Sequence, residues 1–328
     1  MTTRREVLGL SFGCVLAMHV VRTRAQARVP RIGVLAAGSP NPSMPRPIEA
    51  LLQALRDLGY VDGRTIQIEY RWADGKPERL AALADDLVGA NVALIVASGD
   101  AATRAARQAS RTVPIVMATS GDAVGAGFVE SLARPGGNVT GMTAITPELS
   151  AKRLQILKDL LPRLSRVAVL WNPTDPVQAL DWNETQSAAR SLGLSLQSME
   201  FRTPSDVDRA LVALAHSLPE ALVVFNSAET VERRAQLLDV AALHRIPAMY
   251  DASEWVTTGG LIAYGVTHAS LFRRSATFVD RILKGAKPAD LPVEQPFSFL
   301  LTINLKTAKA LGLTIPQSLL LRADEVIQ

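Results

Sequence analysis

The sequence predicts an α/β protein of two Rossmann-like lobes with largely parallel sheets. Three observations carry this. From residue 28 onward, short β-branched runs alternate with longer helical patterns, the signature of βαβ units. The rhythm then restarts half-way along. Local detail also repeats, since Thr112-Val113-Pro114-Ile115-Val116-Met117 is matched by Arg245-Ile246-Pro247-Ala248-Met249-Tyr250. The chain of 328 residues, 48% hydrophobic and 20% charged, is of two-domain size and too apolar to be disordered.

The elements follow in order. Residues 31–35 are a first strand. Residues 47–58 form a helix with Ile48, Leu51, Leu52, Leu55 and Leu58 on one face, opened by a proline and closed by Gly59. Residues 65–72 alternate apolar and polar side chains, so this strand lies toward a sheet edge. Residues 92–97 and 114–118 are nearly continuous apolar runs, as central parallel strands require. The glycine-rich stretch 121–127 reads as a helix start. In the second half, strands begin near Arg166, Leu194, Ala221 and Pro247, between helices at 149–160, 206–217 and 231–244. Extended pieces at 134–141, 259–265 and 297–304 suggest three crossings at a hinge, or ordinary strands of one large sheet. The expected division is residues 28–140 with 265–300 in one lobe and 141–264 with 301–328 in the other.

The formal charge of +4 does not indicate nucleic acid. Arg4, Arg5, Arg22 and Arg24 against Glu6 place most of it in the first 27 residues. That segment reads as an export signal, with a charged start, an apolar run at 7–21 and Ala25-Gln26-Ala27 as a cleavage site. The run falls short of the roughly 20 residues that span a bilayer. Thr-Arg-Arg-Glu-Val-Leu is similar to a twin-arginine signal. The single cysteine, Cys14, lies within this segment.

No catalytic constellation, metal-ligand spacing or cofactor motif stands out, so neither cofactor nor metal is expected. The histidines are isolated, no P-loop or G-x-S-x-G occurs, and the glycines at 121–127 are in the wrong order for a dinucleotide fingerprint. Binding signals are better. In open α/β sheets ligands sit beyond the carboxyl ends of the strands, where helix N-termini present free amides. The candidates there are Ala37, Gly38, Ser39, Ser98, Gly99, Asp100, Ser120, Asp122, Trp171, Asn172, Asn226, Tyr250, Asp251 and Tyr264. Taken singly, each polar residue among them is as well explained as a helix or turn cap. Tyr250, Trp171 and Tyr264 are candidates for an aromatic wall.

Four stretches resemble the substrate-binding proteins of ABC importers, in the subgroup that includes tryptophan and tyrosine uptake proteins. They are Ala-Arg-Pro-Gly-Gly-Asn-Val-Thr-Gly (133–141), Val-Ala-Val-Leu-Trp-Asn-Pro (167–173), Ile-Leu-Lys-Gly-Ala-Lys-Pro-Ala-Asp-Leu-Pro-Val-Glu-Gln-Pro (282–296) and Ile-Asn-Leu-Lys-Thr-Ala-Lys-Ala-Leu-Gly-Leu-Thr-Ile-Pro (303–316). The resemblance implies the periplasmic binding protein type I fold, ligand capture by hinge closure without chemistry, and delivery to a membrane permease. The implied partners are a small-molecule ligand and the permease, with no nucleic acid, and the protein is expected to be a periplasmic monomer. The resemblance further implies that Ser98, Gly99, Ser120 and Asp122 hold a ligand carboxylate. Asp100 departs from the pattern, in which a hydroxyl or small residue is more usual. A carboxylate there can cap its own helix and repel an anion, or it can recognise an amine. A secreted α/β enzyme is the competing reading. A repressor's ligand-binding half would need a helix-turn-helix and a basic face, and neither is found.

Overall fold

A computed structural model describes residues 29–40, 47–144, 146–296 and 299–328. The export signal with Cys14, and the start of the late strand at Phe297, lie outside them. The strands are β1 (Arg31–Ala36), β2 (Gln67–Trp72), β3 (Leu94–Ser98), β4 (Ile115–Thr119), β5 (Val139–Gly141), β6 (Arg166–Trp171), β7 (Ser195–Glu200), β8 (Ala221–Val224), β9 (Ala248–Ala252), β10 (Ile262–Val266), β11 (Leu300–Asn304) and β12 (Glu325–Ile327). The helices are α1 (Pro47–Asp57), α2 (Leu80–Gly89), α3 (Asp100–Ala109), α4 (Thr146–Leu160), α5 (Pro176–Leu192), α6 (Pro204–Ser217), α7 (Ala228–Glu232), α8 (Arg234–Leu243), α9 (Ser253–Thr257), α10 (His268–Leu283), α11 (Leu305–Ala310) and α12 (Gln317–Leu320).

The strands form two separate sheets, which removes the single-sheet alternative. The first has the order β2-β1-β3-β4-β5 and the second β12-β11-β10-β9-β8-β6-β7. All ladders are parallel except β10 with β11. β2, with its alternating pattern, is the edge strand, and the apolar β3 lies in the middle. Each sheet is covered on both faces. Around the first sheet, Ile32, Val34 and Val96 pack with α1 and α10 on one side, while Leu35, Ile95 and Met117 pack with α2 and α3 on the other. The second sheet likewise buries Val167 and Val169 on one face and Ala168 and Leu170 on the other, as alternation along β6 dictates.

Two expected helices differ. Residues 231–244 are broken into α7 and α8 at Arg233. Residues 121–127 form turns, because the Asp122 carboxylate accepts from the amides of Val124 and Gly125 at 3.1 and 2.8 Å and Gly127 adopts a positive φ. Both arrangements satisfy the backbone locally and leave no run long enough to propagate a helix.

The chain changes sheets after β5, after β10 and again after Glu294. Gly265 and Val266 complete β10 within the second sheet, and α10 then packs against α1 of the first. Two of the connections run side by side. The amide of Glu294 donates to the carbonyl of Gly141 at 2.9 Å, and the amide of Thr143 donates to that of Glu294 at 2.9 Å. Arg274 grips the Glu294 carboxylate at 2.6 and 2.9 Å. Gly141 is required here. Its φ is +130° and a Cβ would lie 2.2 Å from the Met117 carbonyl oxygen.

Candidate ligand-binding site

The carboxyl ends of the parallel strands of both sheets face one cavity of about 600 Å³. That size suits a small organic molecule. The first sheet supplies the loops after β1, β3 and β4, and the second supplies those after β6, β7, β8 and β9. The lobes touch across its mouth, where the amide of Ser39 donates to Glu232 Oε1 at 2.8 Å.

Of the sequence candidates, Ala37, Gly38, Ser39, Ser98, Gly99, Asp100, Ser120, Asn172, Asn226 and Asp251 line this cavity. Asp122, Trp171, Tyr250 and Tyr264 do not. Asp122 is spent on its own turn. Trp171 stacks on Trp182 with ring centroids 5.0 Å apart and donates its indole N–H to Ser198 Oγ at 2.8 Å. Tyr250 stacks on Trp255 at 4.8 Å and is fully buried, which drives its hydroxyl pKa up. Tyr264 packs near Phe299 at 6.3 Å. The expected aromatic wall is therefore absent. The rings of these three strand residues turn into the layers above and below the second sheet, whereas Trp72, which ends β2, reaches the cavity. Trp72, Phe272 and His268, all from the first lobe's side, supply the rings that line the cavity.

Charge is the other feature, and beyond Asp100 and Asp251 the sequence did not show it. Asp100, Asp175, Asp181, Glu229, Glu232, Asp251 and Glu254 line the cavity, against Arg104, Arg202, Arg234 and His268. Asp175 had a visible signal, since Asp-Pro at the start of a helical pattern marks an N-cap. Its carboxylate accepts from the amides of Val177 and Gln178 at 2.9 and 3.4 Å. Asp181, Glu229, Glu232 and Glu254 sit on helices with no local pattern that marks them.

Asp100 does not cap its own helix. Gly99 holds the N-cap position with φ +88° and no side chain caps α3. The Asp100 carboxylate instead reaches the loop after β4, accepting from Ser120 Oγ at 2.6 Å and from the Gly121 amide at 3.1 Å. Burial, followed by the Asp175 charge facing it, pushes its pKa up to about 6 despite these bonds and the Arg104 guanidinium. Burial likewise raises Asp175 and Asp251, and raises Asp181 to about 7. Glu254 goes the other way. Burial opposes ionisation, but contact with His268 outweighs it and holds the carboxyl at about 2. The His268 amide donates to Glu254 Oε1 at 2.8 Å and its Nδ1 lies 3.7 Å from Oε2, so this pair ties the start of α10 to the second lobe.

Among the described residues, no group of three or more His, Cys, Asp or Glu is placed to hold a metal ion. No helix among them is long and apolar enough to cross a membrane.

A two-lobed α/β fold with a cavity at facing strand ends is shared by many proteins, so sequence relationship decides the family. The family profile described as ABC transporter substrate binding protein matches residues 32–327. The chain belongs to that family. A relative named Tyrosine-binding protein, from Clostridioides difficile (strain R20291), is 27% identical to this binding protein over 274 residues, 83% of this chain and 78% of the relative. Among solved structures, the ABC domain in complex with L-Trp from Streptococcus pneumonia superposes with a TM-score of 0.81 at 25% identity, covering 91% of this chain and 99% of that one. A conserved domain protein from Vibrio cholerae O1 biovar eltor str. N16961 superposes with a TM-score of 0.84 at 25% identity, over 91% and 100%.

Proposed function

We propose that this binding protein captures a small organic ligand, an amino acid or a related metabolite, in the cavity between its lobes and hands it unchanged to an ABC permease. The observation that carries this is the cavity itself. It is built from both sheets and closed at its mouth by the Ser39–Glu232 hydrogen bond, which can form only when the lobes meet. The names of the C. difficile relative and of the L-Trp complex support the ligand class. The moving bodies are the two lobes, with the changeovers at the end of β5 at Gly141 and at the end of β10 at Val266. Closure about paired connections such as Gly141–Thr143 and Glu294 is hinge motion, in which ligand selects the closed state.

The reading includes export by a cleaved signal at residues 1–27 through the twin-arginine route, residence in the periplasm, a monomeric state and no catalysis. The candidate contacts are the ten sequence-read residues that line the cavity, joined by Trp72, Asp175 and Phe272. The test is a metabolite panel read by Trp fluorescence and melting temperature. A ligand that raises the melting temperature and is recovered intact supports the reading. Turnover of that ligand overturns it.

A further inference from the structure

Ligand charge is decided by which donors around the cavity are still available. An anion would seek backbone amides, hydroxyls or guanidiniums at the strand ends. Several of these are occupied by the protein's own carboxylates. Ser120 Oγ and the Gly121 amide donate to Asp100, the first amides of α5 donate to Asp175, and the Ser39 amide donates to Glu232. The first turn of α3 has no side-chain cap, but Asp100 is its first residue. An anion approaching that turn meets a carboxylate that already feels Asp175 across the cavity. The guanidiniums are drawn to the protein's own groups. Arg202 donates to Glu200 at 2.8 Å, Arg234 lies over Trp255 at 4.9 Å, and Arg104, over Phe128 at 5.2 Å, is attracted to both Asp100 and Asp175.

Acceptors, by contrast, are in excess. Asp251 faces the cavity with Oδ2 accepting from the Asn226 amide at 3.2 Å, while its buried Oδ1 has no hydrogen-bond partner. Asp100 and Asp175 line the cavity from the two lobes, and the one guanidinium that acts on both, Arg104, leaves both carboxyls raised, so a ligand cation between them would be attracted to both and would relieve their remaining repulsion on closure. Trp72, Phe272, Ile48 and Val266 line the same cavity and suit an apolar body.

From this arrangement we infer that the preferred ligand is an organic cation, a primary amine with an apolar or aromatic body and no carboxylate, held between Asp100 and Asp175. The inference rests on the solute-binding reading above and narrows its ligand class. The Asp100 carboxylate takes up Ser120 Oγ and the Gly121 amide, two donors that would otherwise be open to a ligand carboxylate.

The test compares tyramine with L-tyrosine and tryptamine with L-tryptophan by calorimetry and melting temperature at pH 7.5. Each amine is expected to bind at least about tenfold more tightly than its amino acid. Asp100→Thr releases Ser120 Oγ and the Gly121 amide and should reverse that order. Asp100→Asn keeps the side-chain shape, and its amine affinity should fall by about tenfold or more, which secures the test should the threonine variant fail to fold. Wild-type protein that binds the amino acids as tightly as the amines overturns the inference and leaves the solute-binding reading standing. Binding of neither series also overturns it. The broader reading falls if the full metabolite panel leaves the melting temperature unmoved or if a bound ligand is turned over.

Discussion

Removing the Asp100 charge should stabilise the ligand-free protein, and the gain should depend on pH with a definite sign. The folded pKa is about 6 against an ordinary value of 3.8, with burial the main cause and Asp175 the second. Ser120, Gly121 and Arg104 act in the opposite direction and are included in that balance. Two units at about 1.4 kcal/mol each make about 3 kcal/mol. Between pH 4 and 6 the folded protein holds a proton on Asp100 that the unfolded chain has released, so stability falls as pH rises through this window. Above pH 6 the whole cost is present. Asp100→Asn can keep both hydrogen bonds, its oxygen accepting from Gly121 and its amide donating to Ser120 Oγ, while carrying no charge. At pH 7.5 the variant should therefore be more stable by about 3 kcal/mol, about 6 °C in melting temperature for a chain of this size. The gap should close toward pH 4. Thermal melts without ligand at pH 7.5, 6, 5 and 4 measure it. A variant no more stable at pH 7.5, or a gap that widens on acidification, refutes the electrostatic account.

Two further predictions test other parts of the site. Glu232→Ala removes the acceptor for the Ser39 amide at the mouth, so the closed state should lose about 1 kcal/mol and ligand affinity about fivefold, with the melting temperature of the ligand-free protein nearly unchanged; an unaltered affinity would show that this contact does not hold closure. Trp171→Phe removes the Ser198 hydrogen bond and part of the Trp182 stack, and should cost about 1–3 kcal/mol in urea unfolding while leaving affinity within twofold. A large loss of affinity without loss of stability would return Trp171 to the binding site.

How far the sequence could be read depended on the range of the interaction. β3 and the edge strand β2 were legible because burial on one or both faces imposes a local pattern, and α1 because its apolar positions recur at helical spacing. Gly121 to Gly127 misled, because an Asp carboxylate bonding the next amides satisfies the backbone as well as a helix start does. Ser98, Ser120 and Asn226 line the cavity as the sequence placed them, because strand ends can be located from composition. Tyr250 and Tyr264 lie two residues inside the ends of their strands, and Trp171, though it ends β6, turns its ring onto Trp182. So placed, each ring lies in the packed layers and not past the strand end.

The sequence by itself determined the α/β class with its parallel strands and the family, since each is written in local pattern or in contiguous motifs. Only the tertiary structure decided that there are two sheets and not one, that His268 and Glu254 join the lobes, and that Asp100 meets Ser120 on one side and Asp175 on the other. Asp100 and Asp175 lie 75 positions apart and come from different lobes. Their opposition is a property of the closed cleft. Electrostatic character there depends on distances and burial between segments that no periodicity or motif relates, and this is why the charge of the cavity, and with it the charge of the ligand, became readable only after folding.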